Sequence, residues 1–137
     1  MPSRYPNGIE ADVTGNLTGN SAGTHTGPVV GNAQESVTLA AADGAIAVKQ
    51  GVVVITKATA AALTLAAPTA GTDDGKILRI VSTTAAAHTV TNASPGFNGA
   101  GASGDVATFG AAIGNAMEVV AYNGVWLAAN LTGVTLG

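Results

Sequence analysis

From Ser36 onward the chain is a succession of short apolar runs, each too short for an ordinary helix and each closed by turn-forming residues. The runs are Ser36–Ala40, Ile46–Lys49, Val52–Thr56, Leu63–Ala66, Ile77–Thr83, His88–Thr91, Val106–Phe109, Met117–Tyr122, Val125–Ala129 and Leu131–Leu136. Strand-and-turn units recurring at roughly 8–12 residues point to an antiparallel sandwich, a jelly roll or a small barrel. Asp43-Gly44 and Asn123-Gly124 are two-residue hairpin signals of the kind that needs positive φ. Pro68–Gly75 and Ser94–Gly104 are the longer loops. Ala58–Leu65 and Ala85–Ala87 could begin helical turns, but β-branched neighbours favour strand or loop. The expectation for residues 35–137 is an all-β domain, an antiparallel sandwich or jelly-roll-like.

Several runs fail to alternate. Val52-Val53-Val54-Ile55, Ile77-Leu78 with Ile80-Val81, and Val125-Trp126-Leu127 are apolar on both faces of a strand. In a two-layer antiparallel fold the outer face normally turns polar. Charge is scarce as well: charged residues are 9% of the chain, against roughly 25% in an average soluble domain. Beyond Arg79 only Asp105 and Glu118 are charged. Apolar residues on two faces and a surface poor in charge both predict cover by other chains, because large obligate interfaces are depleted of charge. A homo-oligomer is expected, a trimer ahead of a dimer.

The first third differs. Gly15, Gly19, Gly23, Gly27 and Gly31 recur at every fourth position, which fits neither collagen nor a stable helix. An even period suits an extended chain, with Val13, Leu17, Ser21, His25 and Val29 on the glycine face and Thr14, Asn16, Thr18, Asn20 and Thr26 on the other. Residues 1–34 are read as an extended Gly/Thr-rich arm with too few apolar side chains to order itself, and so as one held by a neighbour. Val13, Leu17, Val29 and Val30 are its expected protein-interaction anchors.

Chemistry is hard to find. Arg4, Lys49, Lys57, Lys76 and Arg79 are all the positive residues, too few for a phosphate-driven nucleic-acid binder. The chain has no Cys, which removes disulfide scaffolds, thiolate zinc sites and Cys nucleophiles. No apolar run approaches the roughly 18 residues of a membrane helix, and the N-terminus lacks a signal-peptide layout. Gly71–Lys76 superficially resembles a phosphate loop, but it is one residue short and Ile77 stands where Ser or Thr should hold magnesium. A hairpin turn is expected there. Gly99–Gly104 matches G-x-G-x-x-G, yet a strand follows it, so no helix N-terminus awaits a pyrophosphate. His25 and His88 lie in different regions with no third ligand near in sequence. Asp43, Asp73, Asp74 and Asp105 read as turn residues, since no calcium-loop motif accompanies them. No G-x-S-x-G elbow occurs, and the sequons at Asn16, Asn92 and Asn130 have no secretion signal to give them meaning. The reading is of a protein that is not an enzyme and has no cofactor, metal, nucleic-acid or membrane partner.

The stretches LTLAAPTAGTDDGKILRIVSTTAAAHTV, FNGAGASGDVATFG and MEVVAYNGVWLAANLTGVTL, from Leu63 to the end, resemble small structural proteins of tailed-bacteriophage virions. The Thr-Gly-Asn repeats resemble the arms that precede such domains. Within that group the chain is most like a capsid decoration, or cement, protein. The resemblance implies a place on the outer surface of the capsid, the major capsid protein as partner, and no catalytic residues. The alternative is a fibre or spike component whose β domain recognises a host surface or carbohydrate. That role needs exposed aromatics, and only Tyr5, Phe97, Phe109, Tyr122 and Trp126 are present, with Trp126 inside an apolar run. Deleting residues 1–34 is expected to leave a folded β domain that no longer pellets with virus heads.

Overall fold

β-branched residues fit a pleated, half-buried surface, and most of the runs rich in them become strands. The computed structural model describes residues 35–137. They form ten strands: β1 (Val37–Ala40), β2 (Gly44–Ile46), β3 (Gly51–Ile55), β4 (Ala62–Leu65), β5 (Ile77–Ser82), β6 (Thr89–Thr91), β7 (Val106–Phe109), β8 (Ala116–Tyr122), β9 (Val125–Thr132) and β10 (Val134–Leu136). Two five-stranded sheets result, ordered β1-β3-β5-β8-β9 and β10-β7-β6-β4-β2. They enclose one apolar core in a sandwich-like all-β fold.

The sheets are mixed, where the sequence predicts antiparallel ones. β1, β3 and β5 pair in parallel in the first sheet, and β2, β4 and β6 do so in the second. Only the partners of β7 to β10 are antiparallel. The cause is the path of the chain. From β1 to β6 each strand lies in the opposite sheet from the one before, so the backbone winds as a flattened coil. Parallel neighbours need a long crossover, usually helical. Here the crossover is a strand of the facing sheet.

Asp43-Gly44 is accordingly not a hairpin turn. It carries the chain from β1 to β2 across the sandwich, and the Asp43 carboxylate accepts from Ala62 N–H at 2.8 Å and from Lys57 Nζ at 2.7 Å in the next coil. A carboxylate that bonds a later connection has overridden the local turn preference, and β2 begins at Gly44 instead of Ile46. Asn123-Gly124 does form the predicted hairpin, between β8 and β9, with φ of 48° and 78°. The final runs join differently from the expectation: β9 extends through Thr132, and Gly133 at φ 62° turns the chain into β10 in the other sheet. Ala58–Leu65 and Ala85–Ala87 hold no helix; the one helical turn among the described residues is a short 3-10 segment at Gly101–Ser103.

The core follows strand alternation. Val53, Ile55, Leu78, Ile80, Met117, Val119 and Trp126 point inward from the first sheet, facing Leu63, Leu65, Val90, Ala107 and Phe109 of the second. The three fully buried aromatics Trp126, Phe97 and Phe109 are the largest side chains among them. Phe97 comes from the loop before β7, which folds back so that Asn98 N–H bonds Trp126 O at 2.8 Å. The indole Nε1 of Trp126 donates to Ala66 O at 2.9 Å, satisfying its only polar atom.

Two buried titratable side chains pin the connections. His88 is fully buried. Its Nδ1 accepts from Ala61 N–H at 3.0 Å, so Nε2 bears the proton and donates to Thr84 Oγ1 at 2.9 Å, which in turn donates to Lys57 O. Burial, and then the nearby Lys57 ammonium, hold His88 below the ordinary histidine value. Asp73, 4% exposed, accepts from Lys49 and Lys76 at 2.7 Å each and from Thr69 N–H at 2.6 Å. The hydrogen bonds from Lys49, Lys76 and the Thr69 amide keep its carboxyl far below the usual carboxylate range. Gly71–Lys76 is thus a turn, as expected, but one joining β4 to β5 across the sandwich instead of closing a hairpin.

Between the native and unfolded pKa values of His88 the unfolded chain binds more protons, so this contribution to stability is complete above pH 6.5 and declines as pH falls below it. The Asp73 contribution holds above 3.8 and is lost only further down. Urea denaturation at stepped pH is expected to show both declines, and His88→Gln to flatten the first alone. Trp126→Ala is expected to cost about 3–5 kcal/mol in the same measurement at neutral pH.

Candidate functional site

The registers define what each sheet shows to its outside. In the second sheet Thr135, Thr108 and Thr89 stand in one cross-strand row, and Thr91 and Thr64 in the next. This is the polar outer layer expected of a strand that meets water. The first sheet is different. Leu39, Val54, Val81 and Ala116 make one row across β1, β3, β5 and β8, and Ile77, Val120 and Leu127 make another. Leu39 is 65% exposed, Val37 59%, Leu127 39% and Ile77 37%.

Val52, Val54, Ile77, Val81 and Leu127 of this face come from the runs that broke the alternation in sequence, and Val37, Leu39 and Val120 join them. Of Val52–Ile55, Val53 and Ile55 enter the core while Val52 and Val54 face outward; Leu78 and Ile80 enter while Ile77 and Val81 face outward. All the surplus apolar side chains collect on one face of one sheet. Exposed apolar side chains gathered in this way distinguish the first sheet from the threonine-rowed second one.

One polar row crosses that face. The Arg79 guanidinium lies between two carboxylates, Nε to Glu118 at 2.6 Å and Nη1 to Glu35 at 2.7 Å, and these bonds, to Glu118 first, raise its already high pKa. Two acids to one base leave the row with one negative charge. Beside it a shallow concavity of about 320 Å³ is lined by Val52, Val81, Ala116 and Thr132 together with Arg79 and Glu118. Such a surface can receive apolar side chains and orient a cationic group at its polar row. It holds no nucleophile paired with a base.

The other sequence candidates lie elsewhere. Val13, Leu17, Val29 and Val30 fall outside the described residues. Gly99–Gly104 forms the turn that seats Phe97 and leads into β7; a Cβ at Gly96 would lie 2.5 Å from Gly101 O, so the turn closes too tightly for any side chain there. His88 is consumed by its two ring hydrogen bonds. Among the described residues, no cluster of three or more His, Asp or Glu could hold a metal ion, and no helix is long and apolar enough to cross a membrane. The buried role of Asp73 was not legible in sequence; Lys49 and Lys76 approach it from two separate connections. No protein-family model and no curated protein matches the chain.

The exposed face residues lie outside the core, so Ile77→Lys with Leu127→Lys is expected to leave stability within about 0.5 kcal/mol per site. Binding of a hydrophobic fluorescent dye should fall in the same variant.

Proposed function

We propose that this protein is a non-enzymatic structural component of a tailed-phage virion, decorating the outer surface of the capsid and bridging major capsid subunits. The observation that carries the reading is the contrast between the two outer faces: threonine rows on one sheet, and a broad apolar face with a single ion-paired row on the other. A bridging protein needs area more than a pocket, and apolar area removed from water contributes roughly 25 cal/mol per Å² before association costs. The apolar face supplies that area against the shell. Residues 1–34, as an extended arm anchored by Val13, Leu17, Val29 and Val30, would reach neighbouring capsid subunits. Many weakly held copies on a repeating surface gain from multivalency.

The alternative, a fibre or spike domain for carbohydrate, has less support. Trp126, Phe97 and Phe109 are buried, which withdraws them as sugar platforms, and Tyr122 is the remaining aromatic in the described residues.

The test is a pelleting assay with heads stripped of this protein. Saturable attachment at hundreds of copies per head is expected, and the Ile77→Lys, Leu127→Lys variant should lose at least tenfold in affinity. Absence of attachment, with binding to intact host cells instead, would replace decoration by host recognition.

A further inference from the structure

The coil has an open end. β1 closes the first sheet on one side and β2 closes the second on the same side, because they are consecutive strands joined by Ala41–Asp43. Among the described residues nothing pairs with their outer edges. Val52 N–H bonds Ser36 O and Thr56 N–H bonds Ala40 O, both at 2.9 Å, so alternate residues of β1 turn their backbone groups toward β3. Val37 and Leu39, between them, turn N–H and C=O to the open side.

Edges of this kind are normally guarded by charge, proline or a bulge. These are not. β1 reads VTLA and β2 reads GAI, without a charged residue or proline. The nearest charges are already matched: Asp43 by Lys57 at 2.7 Å and Glu35 by Arg79 at 2.7 Å. The two sheets also part at this end into a cleft of about 290 Å³, lined by Thr38, Ala40, Ile46 and Ala47, with Val53 and Leu63 of the core behind them.

We infer that this open end pairs with the same end of a second copy of the chain, β1 against β1 and β2 against β2, about a two-fold axis normal to both sheets. The argument for this occupant is self-complementarity. A single added peptide strand satisfies one sheet edge, whereas a second copy presents both edges at the same separation. A two-fold axis sets each residue near its own kind, which an uncharged edge tolerates and a charged edge does not. With the axis at Thr38, Val37 lies opposite the other copy's Leu39 and exchanges both backbone hydrogen bonds with it, and the two Thr38 residues form the close, non-hydrogen-bonded pair. The first sheets then run on as one antiparallel-joined sheet, and their apolar outer faces become continuous. The unit is a dimer, in place of the trimer expected from sequence. This pairing does not depend on what the outer face binds.

Its test uses the full-length chain, which has no cysteine of its own. Thr38→Cys is expected to form a disulfide-linked dimer under mild oxidation, and Thr135→Cys, on a strand at the opposite end of the sandwich, is not. Sedimentation equilibrium should show a reversible dimer in the micromolar range, since strands this short make a small interface. Leu39→Pro removes two of the four hydrogen bonds between the β1 strands and should weaken association about tenfold or more. Val37→Lys, at an exposed side chain, should do the same, with circular dichroism unchanged. A monomer at every concentration overturns the pairing. So does an oligomer that neither variant weakens, or cross-linking no faster at Thr38→Cys than at Thr135→Cys. Attachment to heads is a separate readout, so either proposal can fail alone.

Discussion

Connections that cross from one sheet to the other are the constraint on which the rest of this structure depends. Because each of the first six strands lands in the sheet opposite its predecessor, neighbours within a sheet run parallel and a single core forms between the sheets. The connections are held by side chains that reach between coils. Asp43 bonds Ala62 N–H, His88 accepts from Ala61 N–H, and Asp73 gathers Lys49, Lys76 and Thr69 N–H. Backbone groups that a longer loop would leave to water are satisfied by these contacts.

A coil has ends, and the two ends differ. After β6 the chain turns antiparallel, and β7 to β10 finish the sandwich with hairpin and return connections. There the loop carrying Phe97 and Asn98 covers part of β9: Asn98 Oδ1 accepts from Ala128 N–H at 2.8 Å. The first coil has no comparable cover among the described residues. The same winding that builds the core therefore leaves β1 and β2 as edge strands at one end, next to an apolar face on the first sheet, and β9 and β10 as the edges at the other.

Much of this was legible in sequence. The β class followed from short β-branched runs between turn residues, and the Asn123-Gly124 hairpin from two residues that accept positive φ. Trp126 as core followed from its place in an apolar run. The surplus of apolar residues in Val52–Ile55, Ile77–Val81 and Val125–Leu127 announced strands that carry apolar side chains on both faces. What it could not give was that all of this surplus lies on one face of one sheet, because strand alternation says which residues are alike and not which sheet they join. Asp43-Gly44 misled for a related reason: an Asp-Gly turn is compatible with a hairpin or with a crossing, and a hydrogen bond to Ala62, distant in sequence, decided between them.

The sequence by itself determined the β class, most of the strands, the Asn123-Gly124 hairpin and the scarcity of charge, since these rest on local backbone preference and composition. Only the tertiary structure decided the parallel pairing, the burial of Asp73 and His88, and the separation of an apolar outer face from a threonine one. Each of these depends on contacts between residues far apart in the chain, and a periodic pattern of two carries no information about which distant strand will lie beside it.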